Sequence, residues 1–396
     1  MISVYMCIFV IISINPKIQE MVDSVSSDSI LATVQRLQNF VSRDVMHDSC
    51  FAAADWIQNR LNSYGLDSVY RDSFEWTYVV PPNIVGIKYG TVFPDIYYAV
   101  ICGHFDSYSP SHDSAPGADD NASGVAAVLE AARILGNYPF EYSIRFIAFS
   151  TEEYGDIGSE HYASEAVSSG DTIIGLFNFD MIGYSNAYPE SVEVCGDTFN
   201  EPLIDLYIAC ADTYTTLLAT KRLGLPMGDA WQFSTRGYQA ATLIEDWWIT
   251  NPYYHWGADT IGMGFNDLAF CTEITKAGIA ALASLSKPTG IAETDHLTVP
   301  KSTVILISPN PFSNRTNITY TIHDAGYTMT NTTVKIYDAA GRLVKSLHPV
   351  SRIPHGESNI FWTGDDDAGR ELGSGVYFLK LDSGDYAATE KLMLIR

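Results

Sequence analysis

The sequence predicts an α/β domain with a mainly parallel sheet covered by helices on both faces, followed by a small all-β, immunoglobulin-like sandwich. Three observations carry this reading. Short apolar runs alternate along the chain with stretches of 3.6-residue periodicity. The apolar runs are nearly uninterrupted, as in strands buried between two helix layers. Composition also breaks near residue 303. From Thr303 to Arg396 nine Lys/Arg stand against ten Asp/Glu, while the whole chain of 396 residues has 23 against 47, a net charge of −24. All six cysteines precede the break.

The opening run MISVYMCIFVIISINPK is apolar, like the core of a secretory leader. It lacks a basic start and a small-x-small cleavage site. Residues 1–19 are read as a leader segment, too short for a membrane span, which needs roughly 20 apolar residues. No later stretch is expected to cross a membrane. Residues 28–43 carry Ile30, Val34, Leu37 and Val41 at helical spacing, and 50–65 form a second helix stopped by Gly65. Strands are expected over 83–90 and 96–107, then a strong helix over 121–137. SIRFIAFS (strand), GSEHYASEAVSS (helix), DTIIGLFNFDMIG (strand), EPLIDLYIACADTY (helix) and AATLIED (strand) follow, and NDLAFCTEITKAGIAALASLS closes the domain as a helix. The first domain spans 20–287, a linker 288–303 and the sandwich 304–396.

The acidic balance disfavours phosphate backbones, so nucleic acid is excluded as a partner. The cysteines form no CxxC and no zinc-finger pattern, and their pairing is not legible.

In parallel sheets ligands bind beyond the carboxyl ends of the strands. Each predicted strand end here delivers an acid or an imidazole: His104 and Asp106, Glu152-Glu153, Asp180, and His255 after a short loop, with Asp119-Asp120 opening the helix at Asn121. An adjacent glutamate pair is ordinarily a solvated first turn of a helix. Five such placements at one edge point instead to a metal centre. Imidazole and carboxylate donors suit zinc, cobalt or manganese. In a two-metal site one carboxylate bridges and each ion takes one imidazole. Asp120, Glu153 and Asp180 with a hydroxide would balance two divalent ions, which leaves Glu152 free to act as a base.

The segments GHFDS, APGADDNASGVAAVLEAAR, FSTEEYGDIGS, NFDMIGY and YYHWGADT resemble those of the two-zinc exopeptidases of the bacterial leucyl aminopeptidase and aminopeptidase Y type, metallopeptidase family 28. The resemblance covers roughly residues 20–287, with the motifs in family order. It implies His104, Asp120, Glu153, Asp180 and His255 as ligands of two zinc ions, with Asp120 bridging. Glu152 would be the general base and acid, Asp106 would orient His104, and Asp259 would support the His255 loop. Tyr254 would donate to the oxyanion. Asp119 is read as a helix N-terminal carboxylate. Asp229 stands where the family has an acidic-His pair, but Ala230 follows it here. Gly155 and Gly158 allow close packing after the glutamates. His112 and His161 are not expected among the ligands. Phe233, Trp247, Trp248 and Trp256 could line an apolar pocket or pack in the core.

Beyond the linker, alternating segments separated by turn residues form the sandwich. SPNPF, YDAAGRLV and WTGDDDAGRELGSGVYFLKL resemble C-terminal sorting domains of the type IX secretion class and the sandwich of flagellar hook-capping proteins. Asp365–Asp367 read as a turn rather than a calcium site. The expectation is a secreted or surface-attached zinc aminopeptidase acting on peptides, its tail serving secretion or cell-surface machinery. A carboxypeptidase or a glutaminyl-cyclase-like acyl transferase would share the fold and metals. A non-catalytic receptor on this fold would be expected to lose ligands, and none is lost.

Overall fold

The computed structural model describes residues 14–289 apart from 187–189, 225–227 and 247–250, and then 303–308, 310, 312–313, 315–322, 333–338, 341–347, 358–383 and 386–396. The leader reading before residue 14, most of the linker, Trp247 and Trp248 lie outside these residues. The chain divides into two compact units, Met1–Thr294 and Asp295–Arg396.

The first unit is built on eight strands: β1 (Ser68–Asp72), β2 (Asn83–Lys88), β3 (Phe93–His104), β4 (Tyr142–Phe149), β5 (Thr172–Phe179), β6 (Ser191–Gly196), β7 (Leu218–Leu223) and β8 (Ala240–Glu245). Their order is β1-β2-β4-β3-β5-β8-β6-β7. The central four, β4-β3-β5-β8, are mutually parallel. The β1–β2, β2–β4 and β6–β8 pairs are antiparallel, so the sheet is mixed, with its parallel part in the middle.

Strand residues alternate between two cores, as period-2 side chains must. Ile84, Ile101, Phe146, Ala148 and Phe177 pack with helices α1 (Pro16–Asp23), α2 (Ser27–Gln38), α3 (Asp48–Ser63), α4 (Ala122–Leu135), α6 (Glu201–Tyr214) and α8 (Leu268–Ser286). Val85, Val100, Cys102, Ile147 and Phe149 pack under α5 (Ile157–Ser169) and α7 (Asp229–Ser234). Helices therefore cover both faces, as the uninterrupted apolar strands require.

Several expectations are adjusted. Helix α2 ends at Gln38, because Val41 turns into the left-handed region (φ 70°). Helix α1 begins inside the segment read as a leader, and its Ile18 is buried in the core. Strands β1, β6 and β7 were not expected. β7 is exposed along most of its length at the sheet edge, so it carries no apolar run to reveal it. Helix α8 is, among the described residues, the one helix long and apolar enough to cross a membrane. Here that apolarity serves the core, because α8 packs against α1, α4 and α6. The five described cysteines, Cys50, Cys102, Cys195, Cys210 and Cys271, are free and buried.

The second unit pairs a three-stranded antiparallel sheet, β13 (Ser358–Trp362), β10 (Thr316–Ile322) and β9 (Thr303–Ser308), with a four-stranded one. The latter holds β12 (Leu343–Leu347), β11 (Thr333–Asp338), β14 (Gly375–Ser383) and β15 (Tyr386–Leu394). Ile318, Ile360 and Trp362 of one sheet share a core with Val334, Ile336, Leu379, Leu381 and Leu392 of the other. Asp366 accepts from the backbone N–H groups of Ala368 and Arg370 and pairs with the Arg370 side chain. Lys345 pairs with Asp365. The acidic triplet is thus a turn with its charges answered by protein groups. Asp338 and Arg342 repeat the same backbone and side-chain bonds in DAAGR.

A very close approach in the first unit lies between α4 and β5. A Cβ on Gly124 would stand 2.1 Å from the carbonyl oxygen of Phe179. Gly124→Ala should therefore destabilise the first unit by about 3 kcal/mol, read as a lowered denaturant midpoint. A midpoint equal to wild type would show that α4 can move away from the sheet.

Candidate metal centre

The chain leaves β3 through α4 to reach β4 on one side, and later returns to β5 on the other side of β3. Strand order reverses at β3, and a crevice opens beyond its carboxyl end. His104 is the last residue of β3. Glu152 and Glu153 follow β4, Asp180 follows β5, and His255 lies in the loop after β8. Asp120 precedes Asn121, the N-cap of α4. All the predicted ligands are brought together here.

Asp120 stands between the two imidazoles. Its Oδ1 lies 3.4 Å from His104 Nε2, and its Oδ2 lies 3.5 Å from His255 Nε2. Asp180 Oδ1 is 3.4 Å from His104 Nε2, and Glu153 Oε2 is 2.9 Å from His255 Nε2. Two ligand atoms about 2.0–2.1 Å from a tetrahedral zinc lie about 3.3–3.4 Å apart. The first three gaps are long for charge-assisted hydrogen bonds and close to that ligand spacing. The buried Glu153 Oε1 has no hydrogen-bond partner in the protein. Among the described residues no Lys or Arg forms an ion pair with these carboxylates. Burial opposes a charged His104, yet Glu152, Asp106, Asp120 and Asp180 outweigh it and hold the imidazole well above its ordinary range. Burial, reinforced by neighbouring acids, lifts Glu152 and Glu153 well above the carboxylate range. Donor sets able to hold a metal ion combine His104 with Asp120 and Glu153, and His104 with Glu152 and Asp180, and imidazole with carboxylate suits zinc.

The paired glutamates are not equivalent. The Glu153 side chain is 3% exposed and that of Glu152 16%. Glu152 Oε2 stands 3.8 Å from His104 Nε2, farther than either other acid facing that nitrogen.

Buried acids hold the backbone that carries the ligands. Asp106 accepts from the peptide N–H groups of Glu152 and Glu153, at 3.2 Å each. Its expected service to His104 comes mainly from its main chain: the carbonyl oxygen lies 3.2 Å from Nδ1 and the carboxylate 3.6 Å. Asp259 accepts from the N–H of Asp119 at 3.0 and 3.1 Å and of Asp120 at 2.9 Å. It thus ties the His255 loop to the Asp120 turn. Burial pushes its carboxyl up to about 7. Asp119 does not cap its own helix; it accepts from Gly183 N–H at 2.7 Å and Asn251 Nδ2 at 3.2 Å.

Sequence reasoning missed Asn121. Its Nδ2 donates to the Phe179 carbonyl at 2.8 Å, and its Oδ1 accepts from Gly124 N–H at 2.8 Å and Met181 N–H at 3.3 Å. It pins both sides of Asp180 to the start of α4; an Asn directly before a helix was the available signal. Thr151 (φ 65°), Met181 (φ 51°) and His255 (φ 60°) adopt left-handed backbone, each at or beside a ligand-bearing residue. Such strain persists only where the surroundings enforce it.

The remaining expectations divide. The Tyr254 ring stacks on His255, centroids 3.8 Å apart, and packs against Met181, Cys195 and Ile244. Burial and then Asp120, Glu153, Asp180 and Glu152 hold its phenol far above the ordinary range, so it remains a neutral donor. Phe233 is buried in the core under α7 with Ala230, so it lines no pocket, whereas Trp256 is exposed. Gly158 packs as expected, its position allowing no Cβ beside the Ser150 carbonyl. His112 pairs with Asp44 at 2.8 Å. Asp229 is fully buried, and neither carboxylate oxygen has a hydrogen-bond partner in the protein.

A parallel sheet edge presenting a shared carboxylate between two imidazole–acid sets is the build of a zinc-dependent peptidase. Residues 84–267 match the family model described as Peptidase family M28, and 315–385 match the FlgD Ig-like domain. Over the matched residues the first unit thus resembles M28 peptidases and the second the FlgD Ig-like domain. A probable zinc metalloprotease of Pyrenophora teres is 30% identical over 194 residues, which are 43% of this chain and 42% of that protein. The chain thus spans about two fifths of the length of the curated relatives it first matches. Leucine aminopeptidase 1 of Sclerotinia sclerotiorum is 27% identical, with 63% of this chain and 69% of that protein covered. The LapA aminopeptidase of Legionella pneumophila shares the fold, with a TM-score of 0.62, 23% identity, and 68% and 75% of the two chains covered. The glutaminyl cyclase of Porphyromonas gingivalis shares it too, at 0.54 and 21%, covering 66% and 99%.

Gly228 closes the centre on the α7 side at φ 55°, where a Cβ would stand 3.1 Å from Glu152 Oε1 and 3.3 Å from Asp180 Oδ2. Gly228→Ala should leave the circular dichroism spectrum intact and weaken zinc retention about tenfold, roughly 1.4 kcal/mol, in chelator competition. Unchanged retention would show that the acids do not depend on this close approach.

Proposed function

We propose that the chain is a zinc-dependent aminopeptidase that uses two zinc ions to remove N-terminal residues from peptides. The observation that carries this reading is Asp120, whose two oxygens face the two imidazoles, while Glu152 stands farther from His104 Nε2 than Asp120 and Asp180 do. Zinc, when bound, acidifies a water and polarises the scissile carbonyl. Glu152 is the residue placed to take the proton of the attacking water. It is more exposed than Glu153, and its raised proton affinity suits a base that must later return the proton to the leaving amine. Tyr254, held neutral, donates from its hydroxyl to the developing oxyanion, and its ring keeps His255 in place. Unspent carboxylate charge in the crevice would attract a free N-terminal ammonium, which restricts cleavage to chain ends.

The reading extends to an exported or surface-attached enzyme. It is supported by the apolar N-terminal run and by the FlgD-like second unit as an attachment domain. Fractionation of producing cells tests it; retention of the full chain in the cytoplasm would reject export. A cyclase on the same fold is the second reading, favoured by the likeness to the Porphyromonas gingivalis enzyme.

The deciding experiment is hydrolysis of aminoacyl-anilides by zinc-loaded protein, with N-acetylated anilides and N-terminal glutaminyl peptides alongside. Turnover of the free-amine anilides alone is expected. Glu152→Gln should lower kcat about 10²–10⁴-fold with zinc content unchanged, whereas Asp120→Ala should lose zinc. Cyclisation of the glutaminyl peptides without anilide hydrolysis would replace the aminopeptidase reading.

A further inference from the structure

Imidazole and carboxylate donors converge at a second place, on the outer side of α5. His161 and Glu165 are one helical turn apart and share a face, and Asp72 at the end of β1 meets them. His161 Nε2 lies 3.2 Å from Asp72 Oδ1 and 3.6 Å from Glu165 Oε1, and the three donor atoms lie within 4.8 Å of one another. The ligand pairs of the main centre span 2.9–3.5 Å, so the packing of donors is similar.

The site is also held from behind. Fully buried Asn83 donates to Asp72 Oδ2 at 2.8 Å, which turns Oδ1 toward His161. Hydrogen bonding of a ligating carboxylate by an outer partner is a common feature of metal sites. Phe74 flanks the imidazole, with centroids 5.5 Å apart. Among the described residues no Lys or Arg forms an ion pair with Asp72 or Glu165. A simple His–Asp pair would explain one of the acids and leave the second converging on the same nitrogen.

We propose that Asp72, His161 and Glu165 bind a divalent transition-metal ion of the zinc class, separate from the centre at the strand ends. An imidazole donor argues against calcium and magnesium, which take oxygen ligands. Glu165 is exposed, so the ion is reached from solvent and completes its coordination with water. The role is that of a clamp. The same Asn83 amide donates to the Gly158 carbonyl at 2.9 Å, and its oxygen accepts from Ser150 N–H at 2.9 Å. Ser150 and Gly158 bracket the turn that carries Glu152 and Glu153. An ion joining β1 to α5 would therefore stiffen that turn from outside without touching the centre.

The test is zinc stoichiometry of the full chain by equilibrium dialysis and elemental analysis. Wild type should bind one ion more than His161→Ala. Asp120→Ala, which disables the main centre, should still bind the outer ion, and zinc should then slow hydrogen exchange of the amides around Gly158. Glu165→Ala removes only an exposed side chain, so it reads binding without risk to the fold; it should weaken the outer ion at least tenfold. Equal zinc counts in wild type and His161→Ala, or an affinity untouched by Glu165→Ala, would overturn the proposal and leave an ordinary His–Asp ion pair.

Discussion

The structure of the site depends on one constraint: several carboxylates must be held together, under cover, with no lysine or arginine among the described residues in an ion pair with them. Such charges repel strongly when desolvated. They stay in place because the scaffold grips the backbone beneath them. Asp106 takes the two peptide N–H groups of the glutamate pair, Asp259 those of the Asp119–Asp120 turn, and Asn121 staples that turn to the residues on either side of Asp180. The supports are themselves buried acids and amides. A frame of this kind holds the donors together at one edge of the sheet.

The same frame separates two chemically identical neighbours. Glu152 and Glu153 share one turn and one supporting acid, yet one faces His255 at 2.9 Å and the other stands 3.8 Å from His104. Thr151, in left-handed backbone just before them, sets the direction in which the pair leaves β4. Adjacent side chains then diverge, one into the ligand set and one toward solvent.

Much of this was legible in the sequence because the parallel strands are buried on both faces. Their uninterrupted apolar runs mark where each strand stops, and the acid or imidazole at each stop identifies the functional edge. His104, the glutamate pair, Asp180 and His255 were visible at that edge in this way, whereas the choice of Asp120 over Asp119 rested on the family resemblance. Elements at the sheet margins were not: β7 is mostly exposed, and α7 is a short helix bounded by Gly228. The supporting bonds were equally hidden, since they are backbone N–H groups received by side chains distant in sequence. Asp259 reaches Asp119 across 140 residues, and no local pattern encodes that pairing. Phe233, which the sequence left between pocket wall and core, belongs to the core.

What the strand ends do not decide is the substrate, and the physical reason lies in how the fold divides labour. The centre is carried by strand ends and the α4 turn, which the sheet makes rigid. His255 and Gly228 come from the segments flanking β8 and α7, which are loops rather than strands. The fold is shared with both a Legionella pneumophila aminopeptidase and a Porphyromonas gingivalis glutaminyl cyclase, so the fold alone does not choose the substrate. Hydrolysis needs a water beside the base, whereas cyclisation needs the substrate's own amine there and water kept out. Under the proposed reading, the partial exposure of Glu152 suits hydrolysis better than a reaction that must exclude water.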